Sequence, residues 1–378
     1  MTLTRKPTDL ARSASSPLDA QREWSCAEGT DRLPGAERSP REEARRTPGD
    51  LTAYGGLKEA TGKMTPLKNK TFYTEILILG FEDLGDYKIP FFLLLLLLYT
   101  LASIENLLII FLVSKSPRLH SPMYILISSL LFCEVFYTTD LVPMMLHHIL
   151  AERAIIYHLG CSVQLTISGC VSMVDVLLLM LMSYDRYLAV CQPLRYSVLM
   201  HNRLCLCLIS ILWLIPLIVS TVIFYFVIHL EFCCPLSIDH FYCDFTPLVS
   251  LACSNIMPLV SFALWVSAIL TVVPFGLIVV SYAAIIVEIL RIRSSTGRQK
   301  AFSTCSSHLL VVSIYFGVII VLYVVPRSSQ YLYVYKAMSF MSFAVTPMIN
   351  PIIYTLRNKD IKKALQTMIS SVRQDLFC

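Results

Sequence analysis

Asp185 and Arg186 stand side by side at the end of an apolar run, Val174 to Met182, in the stretch Met182-Ser-Tyr-Asp-Arg-Tyr-Leu-Ala-Val-Cys-Gln-Pro-Leu-Arg-Tyr196. An arginine is costly inside hydrocarbon and tolerable at its edge, above all beside a carboxylate. The pair therefore belongs where a buried helix meets water, and alone it reads as an ordinary ion pair snorkelling to the headgroups. Two further carboxylates lie deeper. Glu134 is eleven residues beyond Met123, and Asp175 is eleven residues ahead of Arg186. At the helical rise both sit roughly 16 Å from one membrane surface. Asn106 and Asn350 come out at similar heights. Four polar groups in one layer are either helix–helix glue or a hydrated site able to hold a shared proton or a cation. Sodium is the candidate ion at Glu134 and Asp175, and no other cofactor is expected.

Enzyme chemistry finds no support. His147, His148 and His201 lack metal-ligand spacing, and no nucleophile–base arrangement is visible. No glycine-rich phosphate cradle occurs among the 13 glycines. The basic residues are scattered and never interleave with aromatics, so nucleic-acid binding is not expected.

These side chains must be held by membrane helices. The 378 residues are 56% hydrophobic and only 15% charged, with mean hydropathy +0.64, far from a soluble domain. Residues 1–63 are rich in Arg, Glu, Asp, Pro, Gly and Ser and read as a disordered extension. They contain no apolar segment of signal-peptide type, so the first span would be the targeting signal. An outer segment, 64–88, follows. Seven apolar stretches then cross the bilayer within 89–356: Ile89–Val113, Met123–Leu146, Cys161–Ser183, Leu204–Val227, Met257–Leu290, Phe302–Val325 and Tyr335–Leu356. The expected fold is an all-α membrane protein, a seven-helix bundle. In the tail, 357–378, Ile361, Leu365, Met368 and Ile369 fall at helical spacing with Lys362 and Lys363 between. That predicts an amphipathic helix on the inner leaflet, the alternative being a solvated charged tail.

Lys115, Arg118, Arg186, Arg195, Arg203, Arg291, Arg293, Arg298 and Lys300 fall on one side of the spans. Arg153, Arg327 and Lys336 fall on the other, with Lys68, Lys70 and Lys88 as dissenters. The positive-inside rule puts the amino end outside and the carboxyl end in the cytoplasm. Cys233, Cys234, Cys243 and Cys253 crowd into the loop after the fourth span, and Cys161 opens the third on the same outer side. In an oxidising compartment disulfides are expected over free thiols, and spacing alone leaves the pairing open.

The long Met182–Tyr196 string resembles the odorant receptor family of rhodopsin-like G-protein-coupled receptors. Further fragments carry the likeness in order: Met64-Thr-Pro-Leu-Lys-Asn-Lys-Thr-Phe, Gly80-Phe81, Pro122-Met123-Tyr124, Ser281-Tyr282, Lys300-Ala-Phe-Ser-Thr-Cys-Ser-Ser-His308 and Pro347-Met-Ile-Asn350-Pro351-Ile-Ile-Tyr354. The resemblance implies glycosylation at Asn69 and the disulfides Cys161–Cys243 and Cys233–Cys253, leaving Cys234 unassigned. It implies coupling and activation through Asp185, Arg186, Tyr187, Tyr282, Asn350, Pro351 and Tyr354. Asp185 would hold Arg186 until the sixth helix, dense in Ser303, Thr304, Ser306 and Ser307, moves and opens a groove for a G protein. The Asn350-Pro351 kink would let the amide bond the freed carbonyls.

The family's pocket, carried over by position, gives Ser168, Ser172, Met173, Val266, Ser267, Leu270, Phe316, Ile319, Ile320, Tyr323, Phe340 and Phe343. For any one of these, plain core packing is the simpler reading. The family's Phe-Tyr-Gly is Tyr315-Phe316-Gly317 here, so the hydroxyl expected at 316 is missing. Asp175 stands in for a glutamate, and Glu105 replaces a glycine. The implied function is an odorant receptor of the plasma membrane, in contact with lipid. It would take small, volatile or weakly polar ligands and drive a stimulatory, olfactory-type heterotrimeric G protein to raise cyclic AMP. A non-olfactory chemosensory receptor of the same fold is the alternative. A transporter or channel fits less well, because no internal repeat or pair of broken helices is visible.

Overall fold

The computed structural model describes residues 75–80, 82–151, 154–232, 236–325 and 331–377. Seven long apolar helices carry the chain: α1 (Lys88–Lys115), α2 (Pro122–Leu150), α3 (His158–Cys191), α4 (Asn202–Ile228), α5 (Met257–Arg291), α6 (Ser295–Val324) and α7. The last consists of Leu332–Phe340, a π-helical turn Met341–Val345 and Thr346–Arg357. All seven are long and apolar enough to cross a membrane. An eighth helix, α8 (Lys359–Phe377), follows directly. The expected amphipathic tail is therefore present. Ile361 is fully buried, and Leu365 and Met368 pack on the bundle, whereas Ile369 is exposed.

The helices run past the expected ends. α3 continues beyond Ser183 to Cys191, and α6 begins at Ser295 instead of Phe302. Hydropathy marks where side chains turn polar, but the backbone ladder continues until something stops it. Pro122 and Pro258 sit in first turns, where a missing N–H costs nothing. Ser294 caps α6 by accepting from the backbone N of Gly297 at 3.3 Å.

α3 is the axis. It packs against α2, α4, α5 and α6 and is buried along most of its length. α1, α4 and α5 turn Leu97, Ile104, Leu217, Trp265 and Val280 outward, the faces available to hydrocarbon. The largest core cluster joins α2, α3, α5, α6 and α7 around Leu126, Leu178, Leu179, Val311 and Tyr354. A separate cluster joins α1, α2 and α7 through Leu95, Leu141, Met145 and Phe343.

The all-α expectation leaves out one feature at the Cys161 end, a three-stranded sheet in the order β2-β1-β3. β1 (Glu75–Ile78) pairs antiparallel with β2 (Ile155–Tyr157) and parallel with β3 (Leu236–Ile238). Ile76 and Ile78 are buried beneath it with Cys161 and Cys243. The Cys161–Cys243 disulfide is present, with Cα atoms 5.4 Å apart, so β3 is held near β1 across a wide gap in sequence. Cys253 is also disulfide-bonded. Cys233, Cys234, Asn69 and the extension 1–63 lie outside the described residues.

Candidate functional site

At the Arg186 end, α3 carries Asp185 and Arg186 largely buried, on the wall of a cavity and not on an outer face. Asp185 is 1% exposed and Arg186 6%. This corrects the sequence expectation, and the cause is the length of α3. The helix runs on to Cys191, so neighbouring helices close over the pair. Arg186 Nη2 and Nε both donate to Asp185 Oδ2, the latter at 3.1 Å. The other oxygen, Oδ1, accepts from the Tyr196 hydroxyl at 2.8 Å. Tyr196 lies in the short helical turn between α3 and α4. Burial and the neighbouring Asp185 carboxylate hold its phenol well above the usual range, so it stays a donor. Sequence reasoning missed Tyr196, although it closes the very string that carries the pair.

A cavity of about 660 Å³ opens beside this pair. Its walls include Asp185 and Arg186 from α3, Ser303, Ser307 and His308 from α6, and Tyr354 from α7. Tyr282 does not line it. Its hydroxyl is hydrogen-bonded to His308 Nδ1 at 2.5 Å, with the two rings stacked. Tyr187 turns away and stacks on Tyr184.

The four polar groups that helical counting set at one height all lie inside the bundle. Asn106, Glu134, Asp175 and Asn350 are all buried. Glu134, Asp175 and Asn350 line one cavity of about 30 Å³, room for water-sized occupants. Asn350 Nδ2 donates to Glu134 Oε1. It does not serve a freed carbonyl, which corrects the expectation for the kink. Pro351 has no N–H for the Pro347 carbonyl four residues earlier, and Asn106 of α1 fills that gap, its Nδ2 donating at 2.9 Å. Glu134 Oε2, Asp175 Oδ1, Asn350 Oδ1 and Asn106 Oδ1 remain buried without partners. Unsatisfied oxygens alone make a donor set suited to a shared proton or a hard cation. Among the described residues no group of three His, Cys, Asp or Glu side chains gathers as a metal centre.

The carried-over ligand set divides. Ser168 and Ser172 bond back to their own helix, Ser168 Oγ to Gln164 O and Ser172 Oγ to Ser168 O, each at 2.8 Å. Only Ser172 of the set lines the mid-depth cavity. Met173, Val266, Ser267, Leu270 and Ile319 are half-buried. Phe316 is core, its ring 4.9 Å from Phe275. Phe340 and Phe343 pack with each other, with Phe91 of α1 and with Tyr242 of the long loop, apart from that cavity. Ile320 falls on an exposed stripe of α6 with Leu310, Gly317 and Val324, away from that cavity. The Tyr323 side chain lies outside the described residues.

Four polar lining residues were not foreseen: Tyr137, Tyr315, Ser342 and Thr346. The hydroxyl missing at 316 is supplied one position earlier, where Tyr315 donates to the Ser172 carbonyl at 3.0 Å. Ser342 and Thr346 precede Asn350 at four-residue steps on α7, a periodicity the sequence does display.

The family model described as olfactory receptor matches residues 95–372. Olfactory receptor 11A1 of Homo sapiens is 41% identical over 296 residues, covering 78% of this chain and 94% of that protein. Olfactory receptor 5P80 of Mus musculus is 37% identical over 308 residues, 80% of this chain and 98% of that one. Olfactory receptor 10P1 of Homo sapiens is 39% identical over 308 residues, 81% and 98% respectively. The motifs that bury Asp185 and Arg186, line up the mid-depth polar layer and close the Cys161–Cys243 bridge lie within that matched length, and the chain belongs to the olfactory receptor family of multi-pass membrane proteins.

Proposed function

We propose that this protein is an odorant receptor of the plasma membrane. In this reading the Cys161 end faces outward and the Arg186 end the cytoplasm. Small, weakly polar ligands enter the outer half, and a stimulatory, olfactory-type heterotrimeric G protein docks on the inner cavity to raise cyclic AMP. The observation that carries it is the Arg186–Asp185–Tyr196 lock beside a cavity of about 660 Å³, large enough for an inserted helix end. Arg186 held by Asp185 and Tyr196 is the resting arrangement. A ligand displaces it only by its differential affinity for the open state. The mid-depth layer would hold a proton or sodium ion between Glu134 and Asp175, and losing that occupant would favour the open state.

Cyclic AMP and surface labelling, measured together during an odorant screen, test this. Arg186→Ala is expected to silence signalling. Because it strands the buried Asp185, it should also lower surface expression, since breaking a buried pair costs about 3–5 kcal/mol. Asp185→Asn with Arg186→Ala restores expression and stays silent. Normal signalling by Arg186→Ala at matched surface density would rule out coupling through Arg186.

A further inference from the structure

The inner cavity contains a second carboxylate that the lock does not use. Among the described residues, Asp185 and Asp360 are the carboxylates that line it. Asp360 comes from the first turn of α8. The Tyr124 hydroxyl, at the start of α2, shares its hydrogen between Asn358 Oδ1 at 3.0 Å and Asp360 Oδ2 at 3.1 Å. Tyr124 is only 4% exposed, so packing fixes that hydroxyl in place. Asn358 Oδ1 also accepts from the backbone N of Asp360 at 2.9 Å and of Ile361 at 3.3 Å, which caps α8. One phenol thus fastens the root of α8 to the root of α2. The charges of Arg186 and Asp360 both bear on that phenol.

An arginine that leaves Asp185 within this cavity is still partly desolvated by its walls and gains from another anion there. Asp360, itself exposed, is the other carboxylate among the described residues that line it. A guanidinium binds a carboxylate best by taking both oxygens, and Tyr124 already occupies Oδ2. We propose that Asp360 is the second station of Arg186, and that Tyr124 is the latch that keeps this station closed in the resting state. The proposal rests on coupling through Arg186 and adds to it a residue that receives the released arginine. Tyr124 and Asp360 consequently have opposite signs. Removing the hydroxyl frees the station and favours the open state, whereas removing the carboxylate abolishes the station.

The test reads basal cyclic AMP, with no odorant, from the full-length chain at matched surface density in cells supplied with a stimulatory olfactory-type G protein. Losing one hydrogen bond of ordinary strength, about 1 kcal/mol, shifts a two-state equilibrium about fivefold. Tyr124→Phe should therefore raise basal cyclic AMP about fivefold. Asp360→Asn should lower it, and the double variant should follow Asp360→Asn. Tyr124→Phe combined with Asp360→Glu, which retains a carboxylate, should keep the rise. An unchanged Tyr124→Phe overturns the latch. A rise in Asp360→Asn, or one that survives in the double variant, overturns the station. Loss of the rise with Asp360→Glu would show that a carboxylate at this position is not enough to receive the arginine, and also overturns it. Arg186→Ala separates the two readings. If it signals normally, the coupling reading fails; if it is silent and also erases the Tyr124→Phe rise, both stand.

Discussion

Asp185, Tyr315 and Asn106 each do something in the folded chain that their neighbours in sequence do not announce. Asp185 serves two partners at once, Arg186 on one oxygen and Tyr196 on the other, so both of its oxygens are engaged inside the protein. Asn106 repairs the break made by Pro351 by donating to the Pro347 carbonyl. Tyr315 ties α6 to α3 through the Ser172 carbonyl at 3.0 Å, in place of a hydroxyl at 316. A shift of one residue turns a side chain by roughly 100° about a helix, and that rotation moves the phenol to the lining of the mid-depth cavity and leaves Phe316 in the core. Tyr315→Phe keeps the ring and deletes the tie. Its expected effect is a rise in basal cyclic AMP of no more than about fivefold, the weight of one hydrogen bond, with surface expression retained. An unchanged basal level would remove Tyr315 from the contacts that hold α6.

Among the elements, the small sheet and α7 place the demands that a hydropathy reading passes over. Gly80 follows β1 where the chain crosses the long loop, and a Cβ there would meet the His240 carbonyl oxygen at 2.4 Å. Neither backbone can yield without unseating β1 from β3, whose register runs Ile76 to Leu236 through Ile78 to Ile238. Gly276 in α5 has open space around it. Gly80→Ala should therefore reduce surface expression several-fold, an effect of about 1–3 kcal/mol for an overpacked site, whereas Gly276→Ala should not. Equal expression of the two by flow cytometry would mean that the sheet is dispensable. In α7 the π-helical turn Met341–Val345 lies just ahead of Pro347, and Thr346 Oγ1 donates to the Met341 carbonyl at 3.0 Å. Such turns mark sites of function in helices, and this one sets the face on which Ser342 and Thr346 reach the cavity.

For the whole molecule, the Cys161–Cys243 bridge and a set of polar contacts hold the Cys161 end together. Cys161–Cys243 anchors the long loop to α3, and Gln164 Oε1 accepts from the Cys243 backbone N at 3.1 Å. The same loop reaches α7 through Lys336 Nζ and Asp239 Oδ1 at 2.5 Å, and through Tyr335 and Asp244. The disulfide therefore links α3 to α7 across the bundle mouth. Losing a native disulfide costs about 2–5 kcal/mol. Cys161→Ala should be retained inside the cell, while Cys207→Ala, an exposed free thiol on α4, should reach the surface normally. Wild-type surface levels of Cys161→Ala by antibody labelling would show that the polar contacts alone suffice.

Read without the fold, the sequence already established the seven spans, because a stretch of about 20 apolar residues has one stable place in a bilayer and one stable backbone there. It determined the depth of Glu134, Asp175, Asn106 and Asn350, since depth follows from rise per residue along a single helix. It set Asp185 beside Arg186, but adjacent side chains on a helix do not face each other, so their direct bond belongs to the packed structure. Which faces meet and how far each helix extends depended on packing in the folded bundle. Depth says nothing of azimuth. Burial of Arg186, the exposed face of Ile320, the separation of Phe340 and Phe343 from the mid-depth cavity and the contact of Tyr124 with Asp360 all depend on how helices are rotated against one another. That rotation is set by packing between residues far apart in the chain, and in a bundle that is apolar nearly all round, hydropathy carries almost no signal of it.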